Sequence, residues 1–148
     1  MLCLTLLWTS GAVSPSGNRR LSMHSWVAYD NTRPVAFLAA ELLARWDPPE
    51  NFCPTDAYIR SSKPTMSFST LVDPELWGNG YATTAKIAGA QHPSAAFAET
   101  FHASIRADNT RSLRAIAKVP GAQLIGTAGE GGYEWKHFHW CPEFHHLD

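Results

Sequence analysis

Apolar and polar positions alternate along some stretches of the chain and recur at helical spacing along others. "HSWVAYDNTRPVAFLAAEL" (24–42) alternates on both sides of Asp30-Asn31-Thr32, which predicts two antiparallel strands joined by a tight turn. Asn and Asp suit such a turn because they tolerate left-handed backbone angles. "TMSFSTLVDP" (65–74) predicts a third strand, ended by Pro74. From Gly80 to about Gln91, small residues around Ile87 predict a helix that packs closely on a sheet. "ETFHASIRA" (99–107) alternates as a fourth strand. "DNTRSLRAIAKV" (108–119) then predicts a short amphipathic helix, with Asp108 or Asn109 as its cap and Leu113, Ile116 and Ala117 on its apolar face. "AQLIGTA" (122–128) is a strand, "GEGG" (129–132) a turn and "YEWKHFHWC" (133–141) a final alternating strand, in which Trp135 and Trp140 are expected to close the core. Three strands, a helix, a strand, a helix and two strands make a mixed α/β order.

Two stretches carry no period. "VSPSGNRR" (13–20) reads as a loop, and "RWDPPENFCPTDAYIRSSKP" (45–64), with four prolines, as a long loop of the kind that is often functional. The opening "MLCLTLLW" is apolar but has no basic residue before it and is far too short to span a bilayer.

Composition narrows the function classes. A chain of 148 residues with 45% apolar and 17% charged residues suits a single globular domain, taken as 1–148 with 1–23 poorly defined. With 12 Lys+Arg against 13 Asp+Glu, the net charge of −1 gives no electrostatic case for general binding to nucleic acid or anionic membranes. A phosphate site would have to be local, built from backbone amides and a few side chains. The three cysteines, Cys3, Cys53 and Cys141, cannot all pair and show no C-x-x-C spacing, which points to a reducing cytoplasm.

Within "LVDPELWGNGYATTAKIAGA" (71–90), Gly78 and Gly80 sit where the first helix begins. A helix start leaves N–H groups without partners, and such an end attracts anions, phosphates above all. With these residues the stretch from about Trp26 to Trp140 resembles the GNAT superfamily of acyl-CoA-dependent N-acyltransferases. The acetyl-CoA loop of that family usually reads Arg or Gln, two residues, Gly, one residue, then Gly or Ala. Here Trp77 holds the first place and Gly80 and Ala82 the last two. "LWGNGYAT" is most similar to the branch related to ribosomal-protein N-terminal acetyltransferases, and Asn109 followed by Ser112 matches that branch's second signature. "GAQLIGT" matches the strand after it, with Val119-Pro120-Gly121-Ala122 in place of the usual Leu-Gly-Phe.

The resemblance implies a mixed α/β sheet with helices on both faces, its first strand and helices incomplete. Family members begin with a strand and two helices that wall the acceptor groove. Only 25 residues precede Trp26, so at most one strand, "LCLTLLW", and a fragment of helix are expected there. It further implies that "FSTLV" splays from its neighbour and offers free amides to the pantetheine arm of acetyl-CoA, and that the turn through Trp77, Gly78, Asn79, Gly80, Tyr81, Ala82 and Thr83 presents N–H groups to the pyrophosphate. Leu71 or Val72 would supply the amide that faces the thioester carbonyl. Asn109 and Ser112 would line the same groove. The implied activity is acetyl-CoA-dependent N-acetylation of a primary amine, a small molecule or a peptide N-terminus, by direct attack in a ternary complex. A catalytically weak acyl-CoA-binding relic is the alternative. No metal, nucleic acid or membrane is expected, and a homodimer is compatible with the reading.

The departing thiolate benefits from a proton donor. The tyrosine that often serves in the family falls at Ile116 here, which leaves Ser112 as the substitute. The family's usual base is a Glu on the strand before the loop, but "TMSFSTLV" contains no acid, so Glu41 and His102 are the candidates. His137, His139 and Cys141 share one face of the last strand. They are read either as a polar strand face or, with His145 or His146 folded back, as zinc ligands.

Overall fold

The structure is a computed structural model that describes residues 2–13 and 18–142, with side-chain surroundings from residue 18 onward. The alternating stretches form strands β2 (Arg19–Asp30), β3 (Arg33–Leu43), β5 (Thr65–Val72), β6 (Thr100–Arg106), β7 (Gln123–Glu130) and β8 (Tyr133–Trp140); β1 (Leu2–Val13) precedes them, and the segment 45–64, read as a loop, adds the two-residue strand β4 (Cys53–Pro54). The helical stretches form α1 (Tyr81–Gln91) and α2 (Thr110–Ala117). Asn31, at φ 54°, makes the expected tight turn between β2 and β3. Asp73 caps a single 3₁₀ turn at Pro74–Leu76, which takes the chain off β5 toward α1. The strands form one sheet in the order β1-β2-β3-β5-β6-β8-β7-β4. Every pair is antiparallel except β5 and β6, which run parallel through Thr65/Thr100, Met66/Phe101 and Ser67/His102 and pair no further.

One face of the sheet carries the main core: Trp26, Leu38, Ala40, Met66, Phe68, Phe101, Ala103 and Trp140 pack with Ile116 of α2. Helix α1 lies close against that face because Gly89 has no side chain. A Cβ there would stand 2.5 Å from Leu38 Cδ2 and 3.0 Å from Phe68 Cε1. Helices were expected on both faces, but α1 and α2 share this one and touch each other, Thr83 Oγ1 donating to the Ala115 carbonyl at 2.8 Å. The other face is covered by coil. Trp46, Phe52 and Tyr58 pack there on Leu43 and Ile125, so the proline-rich segment 45–64 supplies apolar cover without forming a helix. Its links to β7 are the short strand β4, Asn51 Nδ2 to the Gly129 carbonyl at 2.8 Å, and Thr55 Oγ1 to the Leu124 carbonyl at 2.7 Å.

Three local expectations change. Ala117 is exposed, and Val119 beyond the helix end takes its place beside Ile116 in the core. Trp140 is buried at 5% exposure, whereas Trp135 is half-buried at a sheet opening, its Nε1 donating to the Glu130 carbonyl at 3.2 Å. The strand after "VSPSGNRR" begins already at Arg19, because Arg20 is drawn into an ion pair with Glu41 across β2 and β3.

Candidate active site

Where the pairing of β5 with β6 stops, the two strands diverge. Side chains explain the direction: Ser67 and His102 meet in a hydrogen bond of 2.8 Å, while Ser69 and Ser104 beyond them line an opening. A cavity of about 180 Å³ enters from the helix face and contains Thr70, Lys86, Asn109, Ser112 and Trp135. A second, of about 670 Å³, enters from the coil-covered face and contains Glu41, Trp46, His102, Glu130 and His137. Ser69 and Ser104 belong to both, so the gap joins the two faces of the sheet. Leu71, farther along β5 and opposite Phe37, is 70% exposed on the face of the sheet away from the helices.

Beside this gap lies the start of α1. Gly78 (φ 84°) and Gly80 (φ 77°) take left-handed backbone angles, and no protein atom lies within 4 Å of where their Cβ atoms would stand. Glycine is required by the backbone here, and the loop's inner surface is open. Gly80 is the N-cap of α1 and offers no side-chain cap, so nothing from a cap side chain covers the first N–H groups. Tyr81 hydroxyl donates to Asp30 at 2.8 Å and Asn79 Nδ2 to the Leu76 carbonyl at 2.9 Å, which holds the loop to the sheet end. Trp77, Gly78, Gly80, Ala82 and Thr83 border a cavity of about 290 Å³ whose opposite wall is α2, with Arg111, Arg114 and Lys118. The Arg111 guanidinium lies 3.4 Å from the centroid of the Trp77 ring, and Trp77 Nε1 donates to the Val72 carbonyl at 3.0 Å. The helix N-terminus and three cations give this pocket a positive field. The cations went unread in the sequence, although their spacing of three and four residues sets them on one side of α2.

Asn109, not Asp108, caps α2. Its Oδ1 accepts from Ser112 N–H at 3.1 Å, while Asp108 is taken by Arg106 at 2.6 Å. Ser112 thus faces the helix-side cavity one turn from the cap, and Ile116, at 1% exposure, is a core residue. Lys86 was also missed. It falls on the buried stripe of α1 with Thr83, Ala85 and Gly89, is 7% exposed, and donates from Nζ to Thr70 Oγ1 at 2.7 Å. Burial lowers its pKa to about 8. The signal for it was a single charge on the small-residue face that the helix turns to the sheet.

On the coil-covered side, Glu41 Oε1 accepts from Arg20 Nη1 at 2.8 Å. His102, fully buried, shares its Nδ1 with Ser67 and its Nε2 with His137 Nδ1 at 3.0 Å. The Trp46 ring centroid is 4.9 Å from that of His102 and 4.8 Å from that of His139. Burial holds all three imidazoles neutral: His102 lies well below its ordinary value, and His137 and His139 are each pushed down to about 4. Such rings relay hydrogen bonds but are weak bases. Cys141 departs from its expected partners; it lies past the end of β8, exposed, at a cavity with Ile87 and Phe101 on the helix face. Among the described residues, no group of three or more His, Cys, Asp or Glu is placed to hold a metal ion, and His145 and His146 lie outside those residues. No helix among the described residues is long and apolar enough to cross a membrane.

No family profile and no curated protein sequence matches this chain. Solved structures do match in fold. An acetyltransferase of the GNAT family from Streptococcus agalactiae superposes with a TM-score of 0.64 at 14% identity, over 80% of this chain and 65% of that one. The aminoglycoside acetyltransferase AAC(6')-Ib, in complex with ribostamycin and coenzyme A, gives 0.60 at 12% identity over 80% of this chain and 64% of its own length. Arabidopsis thaliana NAA60 in complex with acetyl-CoA gives 0.58 at 12% identity, covering 80% and 76%. The chain therefore has the GNAT fold, and its match spans just under two thirds of the first two of these neighbours.

Proposed function

We propose that this protein is an acetyl-CoA-dependent N-acetyltransferase that transfers an acetyl group to a primary amine within a ternary complex. The observation that carries the reading is the gap beyond Ser67 and His102, where a cavity from each face meets at Ser69 and Ser104. A thioester held on the helix face can be reached there by an amine from the other. The cosubstrate supplies an acyl group already activated as a thioester.

In this reading, the N–H groups of residues 78 to 83 hold the pyrophosphate, the Trp77 N–H being taken by the Pro74 carbonyl at 3.3 Å, and Arg111, Arg114 and Lys118 add positive charge that an Arg in the place of Trp77 would have supplied. On the edge of β5 that has lost β6, Leu71 or Val72 turns an amide to the carbonyl oxygen as negative charge develops, while the Val72 carbonyl is taken by Trp77 Nε1. Asn109 fixes α2 so that Ser112 faces the sulfur. Glu41, oriented by Arg20, attracts the acceptor's ammonium into the larger cavity and takes up its proton through water.

Neutral, buried histidines are weak bases. Such a site works best on an amine that is already partly neutral. At pH 7 an α-amino group of pKa near 8 is about one-tenth neutral, and a lysine side chain less than about one part in a thousand. The acceptor class is therefore a peptide N-terminus or another weakly basic amine.

The second reading, an acyl-CoA-binding protein with little turnover, is favoured by the lack of any acid on β5 and by the engagement of Glu41 with Arg20. Calorimetry with coenzyme A, followed by mass spectrometry after incubation with acetyl-CoA and a panel of peptides and small amines, decides between them. Binding with acetylated product supports the transferase. Binding without product supports the second reading, and absence of binding removes both.

A further inference from the structure

We propose that Lys86 is the acid that protonates the departing sulfur, acting from α1 instead of from the α2 position that Ile116 fills with core packing. The inference rests on the transferase reading and names a residue that neither the loop motif nor the α2 signature contains.

Lys86 stands on the face of α1 that packs against the sheet, and its Nζ ends at Thr70, on the part of β5 that has lost its β6 partner. It shares the helix-side cavity with Ser112 and with Ser69 and Ser104 at the gap. Burial of a lysine with one hydroxyl as its hydrogen-bond partner is costly, because the ammonium keeps two donors free. What faces it offers no counter-charge. Beside it in the cavity stand Phe68 and Thr70 of β5, Ala103 of β6 and Ser112 of α2. The other cation of the cavity, Arg106, is turned to Asp108, and Arg111, Arg114 and Lys118 border the neighbouring pocket. The free donors of Lys86 therefore lack a fixed acceptor among the described side chains at the place where the thioester sulfur would lie.

The chemistry suits the position. As the acceptor nitrogen bonds to the carbonyl carbon, the C–S bond breaks and its electron pair goes to sulfur. Lys86 Nζ gives a proton to that sulfur, and the proton shed by the acceptor nitrogen returns through water to the neutral amine of Lys86. The balance is amine plus thioester to amide plus thiol, with Lys86 restored. A thiol near pKa 8.5 and an ammonium lowered to about 8 are matched within about one unit, so the transfer is close to thermoneutral. An arginine there would keep its proton.

A lysine that merely ties α1 to β5 would leave the sulfur untouched, so the decisive readout is the sulfur. The thiol of bound coenzyme A is titrated by its thiolate ultraviolet absorbance in the wild type and in Lys86→Met, with calorimetry of coenzyme A on both. The expected result is thiol ionisation at least about one pH unit lower in the wild type, as a neighbouring cation produces. In turnover, Lys86→Met should lose about 100-fold in kcat and also lose the fall in rate above pH 8 that deprotonation of Lys86 imposes. Lys86→Arg should keep the thiol shift yet not recover kcat. Should Lys86→Met not fold, Lys86→Gln, which can still bond Thr70, serves in its place. Equal thiol ionisation in wild type and variant overturns the assignment of Lys86 alone. Failure of the wild type to bind coenzyme A overturns the reading of the site, and this assignment with it.

Discussion

The two faces of the sheet meet at one gap yet are built by opposite means. The helix face is made of contiguous chain: β5 runs through a glycine turn into α1, and α2 begins four residues after β6, at Thr110. Its pocket is cationic and lined by open backbone amides. The coil-covered face is stitched from distant segments, Trp46 of a proline-rich loop lying on His102, His137 and His139 of two other strands. Its histidines are neutral rings, of which His102 and His137 bond each other. A site that binds a generic anion can be local, because helix ends and glycine turns supply its chemistry directly. A face that admits a particular acceptor depends on which loop happens to cover it.

The comparison can be broken by treating the faces separately. The largest effect is expected for Trp46→Ala, which removes the cover of the histidines and should cost about 3–4 kcal/mol in urea unfolding, while the affinity for coenzyme A changes less than about threefold. A parallel loss of both would mean that the faces are one cooperative unit. Gly80→Asp attacks the other face: a carboxylate and a Cβ at φ 77° should weaken coenzyme A binding by about 100-fold, or roughly 2.7 kcal/mol, measured by calorimetry.

Acid should act most strongly on the histidine side. His137 and His139 ionise near 4 in the fold against 6.5 in the unfolded chain, and His102 is also depressed, so the unfolded state binds more protons as pH falls. Stability should be full above about pH 6.5, decline between 6.5 and 4, and decline less in His137→Phe. A flat urea midpoint across that window would refute the neutral stack. The smallest effects belong to α2. Asn109→Ala removes the cap bonded to Ser112 N–H and should lower stability by about 1 kcal/mol in thermal unfolding. Arg114→Ala should weaken coenzyme A about fivefold at low salt and less at high salt, because an exposed cation is screened.

Much of the helix face was legible in the residues. The strand ending at Pro74, the helix from Gly80 and the Asn109 cap all depend on neighbours within four positions, and each formed as the pattern required. Lys86 escaped notice because a charge on a packed helix face looks exposed until the sheet beneath it is known. Trp135 and Cys141 were misplaced for a related reason: alternation fixes the side of a strand, but not whether anything covers that side or where pairing ends.

Local preference and periodicity therefore determined most of the strands, both helices and the glycine turn at the start of α1, since those follow from backbone sterics and from the period of a helix or strand. Tertiary structure alone decided that the parting of β5 from β6 begins after Ser67, that both helices crowd one face, and that Trp46 closes over His102 of β6 and His137 and His139 of β8. Those outcomes are set by the burial of surfaces contributed by distant segments. That free energy is shared among many contacts and is written at no single position.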